Sequence, residues 1–270
     1  MAAITWDAIG EHFYETGVKH GVLYPSLGTV PEFSTTATYA KGDMVTHDNK
    51  KYTAKAAIAT AGSWSASDWE EYKSDYGKGV AWNGLTAYTE SPSGAEETAL
   101  YADDIKYLSL RSAEEFGATL EAYTYPDEWE ECDGSASLSD GVTIGQQRRK
   151  SFGLCTTTVV GNDVDGNDKG EKIHILYGGT ASPSERAYQT INDSPEAITF
   201  SWEIKTTPVA VGVLENSIEK FKPTASVVID TTKADPTKLA TLKGMLFGTV
   251  STDPYLPTPK AIYDLFNAVG

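Results

Sequence analysis

GVAWNGLTAYTESPSGAEETALYADDIKYLSLRSAEEFGATLEAYTYPDEWEECDG, residues 79–134, decides the reading of the fold. Apolar and polar residues alternate, stop at turn signals and resume. Phe116, Ala118, Leu120 and Ala122 fall on one side of an extended chain, with Gly117, Thr119 and Glu121 on the other. That period of two predicts a half-buried strand. Between two such runs lies the polar stretch Glu90, Ser91, Pro92, Ser93, Gly94, Ala95, Glu96 and Glu97. It is too long for a tight hairpin and is expected to be a working loop. Nothing in the stretch resembles a catalytic motif, so shape and assembly are the first expectation.

Outward from this stretch, 270 residues suffice for one large β domain or two smaller ones. An apolar content of 40% supports a core. The net charge of -16 is extreme and disfavours nucleic-acid binding through the average field. The densest basic cluster is Arg148-Arg149-Lys150, which reads as a solvated strand end or an inter-subunit contact. No apolar run approaches the roughly 18 residues of a membrane span, and no basic-then-apolar leader opens the chain. Cys132 and Cys155 read as two small packed residues, with a bridge between them left open.

Residues 1–25 read as an irregular arm ending in the extended run Gly21–Pro25. Residues 26–77 change texture: small and aromatic residues dominate, Tyr39, Val45 and Tyr52 are expected to anchor short strands, and Asp48-Asn49-Lys50-Lys51 to supply the turn between two of them. We read 26–77 as a small module inserted into a host formed by 1–25 and 78–270. Insertions survive where the host's ends meet at the surface, so Tyr24-Pro25 and Lys78-Gly79 are expected to be neighbours. Further on, Pro126–Glu131 and Ser182–Tyr188 read as short helical turns, and Gly161–Gly170 as a turn-rich link. Lys172–Tyr177, Ala197–Ile204 and Ala225–Ile229 read as strands. Asp235 caps a helix over 236–247 with Leu239, Leu242 and Leu246 as its stripe, and a last helical turn surrounds Ile262, Leu265 and Phe266.

Catalytic and metal motifs find no purchase. His12, His20, His47 and His174 have no zinc-ligand spacing. Asp163, Asp165, Asn167 and Asp168 begin like a calcium loop, but the turn glycine and the closing glutamate are missing, and a hairpin turn is the plainer reading. Glu114, Glu115, Glu121, Glu128, Glu130 and Glu131 read as a solvated acidic face, not as a glycosidase pair. We therefore expect no enzyme, no cofactor and no metal site.

Several runs are long enough to carry a resemblance: GVLYP (21–25), GVAWNGLTA (79–87), TESPSGAE (89–96), LYADDIKYL (100–108), SAEEFGATLEAYTYPDEWEECDG (112–134) and KIHILYG (172–178). With GVTIGQQ (141–147) and KPTASVVIDTTK (222–233), they resemble the major tail protein, or tail tube protein, of long non-contractile-tailed bacteriophages (siphoviruses). The resemblance implies a mainly β fold: a tail-tube-type β-sandwich or barrel with a flanking α-helix. It implies a structural virion subunit in the phage tail, assembled in the bacterial host cytoplasm, forming stacked hexameric rings that conduct DNA during ejection. The implied partners are further copies of the chain and the tape measure, terminator and distal tail proteins. DNA would pass the lumen without specific binding, and no membrane is involved. Six copies at -16 would carry about -96 charges per ring. Residues 90–97 are the candidate ring-to-ring contact.

Residues 26–77 depart from that pattern. Tyr39, Gly42-Asp43, Val45, Lys51-Tyr52, Ala54 and Trp69 resemble small carbohydrate-binding modules related to chitin-binding domains. Trp64, Trp69, Tyr39 and Tyr52 are candidate glycan-binding residues on that resemblance, since aromatic faces stack on sugars. The plainer reading makes them the core of a tiny domain decorating the exterior. The alternative function is a glycan-binding adhesin, with the large β domain as scaffold and host-surface glycans as partner.

Overall fold

A computed structural model describes residues 6–188, 190–191, 197–215 and 218–268. The chain is mainly β, with short helices near its end. β1 (Tyr14–Pro25) opens it, seven residues before the extended run expected from the sequence. The glycines that argue against a helix here are compatible with strand: Gly17, at φ +65, sits in a bulge between Thr16 and Val18. Residues 1–5 of the expected arm lie outside the described residues.

A three-stranded sheet follows: β2 (Met44–His47), β3 (Lys50–Ala54) and β4 (Trp69–Tyr72). Asp48 and Asn49 form its first turn, both at positive φ, as a two-residue hairpin requires. Lys50 and Lys51, expected in the turn, already belong to β3, and Tyr39 makes only a lone bridge to Ile58. The ends of 26–77 lie side by side: Ser26 bridges Tyr76, and the Gly77 amide donates to the Pro25 carbonyl at 2.7 Å.

β5 (Val80–Trp82) and β6 (Leu85–Glu90) resume the larger unit. β7 (Ser93–Gly94), β8 (Glu97–Ala102), β9 (Ile105–Arg111) and β10 (Glu114–Glu115) then run out and back to β11 (Gly117–Ala122). A 3-10 turn (Asp127–Trp129) and α1 (Glu130–Asp133) come next, as the Pro-then-acids pattern predicts. β12 (Ala136–Ser139) and β13 (Val142–Ile144) make a small hairpin. β14 (Phe152–Asn162) and β15 (Gly166–Ala181) form the longest ladder. The expected link at 161–170 is thus the turn of this hairpin, with β15 already begun at Gly166. Ser182–Tyr188 has no helical turn. β16 (Phe200–Thr206), β17 (Leu214–Glu215), β18 (Ile218–Glu219) and β19 (Ser226–Asp230) complete the strands.

The principal sheet runs β5-β1-β14-β15-β16-β11-β6, with β19 also paired to β15. Alternation sorts each central strand onto two cores. Leu23, Leu154 and Leu176 point into one, facing Ala118, Leu120, Ala122, Trp202 and Ile204, with Trp82, Trp129 and Phe152 filling the middle. Val22, Tyr24, Cys155, Ile173, Ile175 and Tyr177 point the other way, against α2 (Pro236–Phe247) and α3 (Pro259–Asn267). β15 serves both layers by changing partner. It pairs β19 over 172–176 and β16 over 179–181. Gly178 is the corner, at φ +61, and a Cβ there would lie 2.1 Å from the Thr207 carbonyl oxygen.

α2 begins where Asp235 accepts from the amides of Thr237 and Lys238, with Pro236 in the first turn. Its Leu242 and Leu246 are fully buried. The buried Tyr24 hydroxyl donates to the Leu246 carbonyl at 2.6 Å, and the Tyr177 hydroxyl to that of Pro257 at 2.8 Å. Burial raises both phenols far above their ordinary range, so they act only as neutral donors.

Leu120 is fully buried where β11 meets the opposing sheet. Leu120→Ala is expected to lower unfolding free energy by about 2–5 kcal/mol in chemical denaturation. Asp235→Ala removes only a helix cap and is expected to cost about 1 kcal/mol.

Candidate functional site

Residues 91–116 form an arm that leaves the principal sheet altogether. Its ladder continues that of β6 and β11: the Ser91 amide donates to Gly117, Glu114 pairs with Gly94, and Glu97–Ala102 pairs with Arg111–Ile105. Gly94 (φ +85) is required where the legs approach, because a Cβ would lie 2.2 Å from the Ala113 carbonyl oxygen. The tip is Asp103-Asp104, both at positive φ, closing a two-residue turn. At about 3.4 Å per residue, the legs can reach roughly 40 Å from the sheet.

The arm has no core beneath it. Tyr101 is 73% exposed, Tyr107 69%, Ile105 64% and Leu110 55%. Isolated two-stranded ribbons are marginal in water, and apolar residues on exposed strands mark association surfaces. The arm's two cations are already engaged. Glu97 accepts from Lys106 at 2.6 Å and from Ser109 at 2.5 Å, and it faces Arg111 at 3.7 Å. These contacts, the one from Lys106 foremost, hold its carboxyl below the usual range. Glu96, Asp103, Asp104, Glu114 and Glu115 have no ion-pair partner among the described residues, so the arm presents only negative charge.

Residues 90–97, singled out from the sequence, form the root of this arm and not a loop. Glu90 ends β6, 3.4 Å from His174 Nδ1, whose Nε2 lies 3.5 Å from Glu15. Ser93 and Gly94 form β7, and Glu97 opens β8. Sequence reasoning missed the outer arm, Leu100–Leu110. A usable signal was present: LYA-DD-IKYL places two apolar runs around a two-residue turn pair.

The four candidate glycan residues all belong to one aromatic cluster. Trp69 is buried, with Val45 and Ala54, and Phe33, Tyr39, Tyr52, Ile58 and Trp64 pack around it. Trp64 stacks on Trp69 at 5.2 Å and 12°, and on His47 at 4.0 Å and 6°. Trp64 is partly buried between these stacking partners. Tyr39 meets Trp69 edge-on at 5.1 Å, and Tyr52 meets Trp64 edge-on at 4.8 Å. The rings a sugar would stack on are thus engaged with one another, with Tyr39, Tyr52 and Trp64 half-buried.

The aspartates at 163–168 are divided among separate partners. Asp163 accepts from the Gly10 amide at 3.1 Å and pairs with His12 at 3.1 Å, while Asp165 pairs with Lys169. No group of three or more metal-ligating side chains occurs among the described residues. Cys132 and Cys155 are both buried free thiols. Burial pushes the Cys132 thiol up to about 12 and that of Cys155 higher still, which keeps them unreactive.

One polar cleft of about 540 Å³ opens beside β16. Asp133 to Ser135, Gly145 to Gln147, Arg149, Ser182 to Ser184 and Arg186 line it above Trp202. Arg186 forms an ion pair with the buried Asp133 and lies over the rings of Tyr125 and Phe200.

The chain matches no family model, and no curated protein matches it in sequence.

Gly10 and His12 hold the Asp163 carboxyl down from 3.8 to about 2. A depressed acid contributes its tether fully above the unfolded value and loses it as pH falls through the folded one. Hydrogen exchange at the Gly10 amide is expected to accelerate as pH drops from about 4 to about 2, after correction for intrinsic exchange. Unchanged protection would contradict the tether. Trp69→Ala is expected to destabilise the module by about 3–5 kcal/mol, read by the loss of near-ultraviolet circular dichroism on denaturation.

Proposed function

We propose that the chain is a self-assembling structural subunit of a phage tail tube, stacking in rings around a channel for DNA. The observation that carries the reading is the arm at 91–116. It combines a continuous backbone ladder, a long reach and apolar side chains that nothing in its own chain covers. A second copy is the natural cover, because pairing and burial across a subunit boundary remove the hazard of an exposed ribbon. The net charge of -16 suits a conduit that must let DNA slide. The resemblance of runs such as LYADDIKYL and GATLEAYTYPDEWEECDG to tail tube proteins supports the same reading. Hexameric rings and contacts with other tail proteins follow from that resemblance. Residues 26–77 would then decorate the outer wall, where about 50 extra residues leave the channel clear. Glycan binding is not part of the proposal, because the aromatic residues that would serve it pack against one another.

Negative-stain microscopy of concentrated protein tests the proposal. Wild type is expected to form rings or tubes, and a variant with residues 96–112 replaced by a Gly-Gly turn is expected to stay a folded monomer. Wild type that remains monomeric at every concentration, or a shortened variant that assembles equally well, would refute it.

A further inference from the structure

We infer that the acidic tip of one chain's arm docks at the polar cleft of another copy, lined by Arg149 with the exposed Arg148 beside it, joining subunits head to tail. The inference rests on the tube reading and assigns both halves of its axial contact.

Placement is the first argument. The arm leaves the principal sheet where Glu90 faces Ala118 and Gly117 faces Lys205. The cleft lies elsewhere on the chain, alongside β16 at Trp202, with Arg186 reaching over Phe200 at the other end of that strand. Ser182 bonds to Glu203 and Arg186 reaches Phe200, so the cleft wall runs along β16. Donor and socket are thus two different surfaces of one chain, the arm tip and the cleft beside β16. A self-complementary pair placed so is heterologous, and repeated copies of it give an open stack instead of a closed dimer.

Charge is the second argument. Acids outnumber bases 38 to 22, yet Arg148 and Arg149 stand adjacent with no ion-pair partner among the described residues. Arg149 Nε is buried without a hydrogen-bond acceptor, and so is Asp133 Oδ1 without a donor. Gly134 (φ +88) lies directly against the Arg149 side chain, where a Cβ would come within 3.1 Å of Cζ. The arginine is therefore packed against Gly134, with no acid paired to it among the described residues. Asp103 and Asp104, the outermost residues of the arm, are unpaired and have unused acceptor capacity to match.

The apolar surfaces match as well. The β12–β13 hairpin beside the cleft exposes Leu138 at 68%, Val142 at 47% and Ile144 at 39%. Tyr101 and Ile105 flank the acidic tip. An apolar contact bordering a desolvated charge pair is the arrangement that gives an interface both affinity and register.

Charge exchange in the full chain tests this, with electron microscopy and sedimentation as readouts. Asp103→Lys with Asp104→Lys, and separately Arg148→Glu with Arg149→Glu, are each expected to cut the assembled fraction at least about tenfold. Arg148→Glu alone, at an exposed position, is expected to reduce it measurably while leaving the fold intact by circular dichroism. The four-fold exchange is expected to restore assembly. A mixture of the two double variants is expected to recover assembly as an alternating stack, because Lys arms then meet Glu sockets and Asp arms meet Arg sockets, whereas neither double variant assembles alone. If wild type assembles and either double variant assembles equally, or the four-fold exchange stays folded yet fails to assemble, this contact is wrong while the tube reading stands. Wild type that never assembles removes both.

Discussion

Everything in this fold depends on three strands, β1, β14 and β15, being buried on both faces. Their alternation sends Leu23, Leu154 and Leu176 one way and Tyr24, Cys155, Ile175 and Tyr177 the other. Each fully buried aliphatic side chain contributes about 1.5–3 kcal/mol, so two cores on one ladder make a stiff platform. The β16-β11-β6 part of the same sheet closes one face and the two C-terminal helices close the other. Neither covering layer could be lost without exposing half of the platform. The bend at Gly178 links the layers, since there β15 passes from pairing β19 to pairing β16 within the one sheet.

That rigidity explains how the appendages can be long and bare. The arm at 91–116 is the continuation of two strands whose roots are locked at Ala118, Leu120 and Ala122. Its backbone order comes from the ladder it extends, while its side chains remain free for another surface. The module at 26–77 is attached differently. It has its own aromatic centre and meets the host through adjoining ends, Ser26 with Tyr76 and Gly77 with Pro25. One appendage is shaped for reach and the other for self-containment.

The sequence was legible where burial leaves a period. The Phe116–Ala122 alternation and the capped helix after Asp235 read directly, because each is a local rule satisfied locally, while the turn expected over Asp48–Lys51 narrows to Asp48-Asn49. It was least legible where structure has no core beneath it. Gly166–Gly170 is polar and turn-like in composition, yet it is strand, because its ladder partner in β14 decides the matter. Glu90–Glu97 looked like a loop because Ser, Pro and Gly break the pattern, although the ladder resumes beyond them. Arg149 and Arg186 meet in one cleft only because β15 and β16 bring distant segments together, which spacing alone does not reveal.

The central claim is that the arm is an intermolecular element. Hydrogen exchange across 97–111, followed from dilute to concentrated protein, tests it most directly. Exchange in β8 and β9 is expected to slow markedly on concentration, while the buried strands β14 and β15 stay protected throughout. Exchange in the arm that is equally fast at every concentration, in samples that nonetheless assemble, would contradict the account.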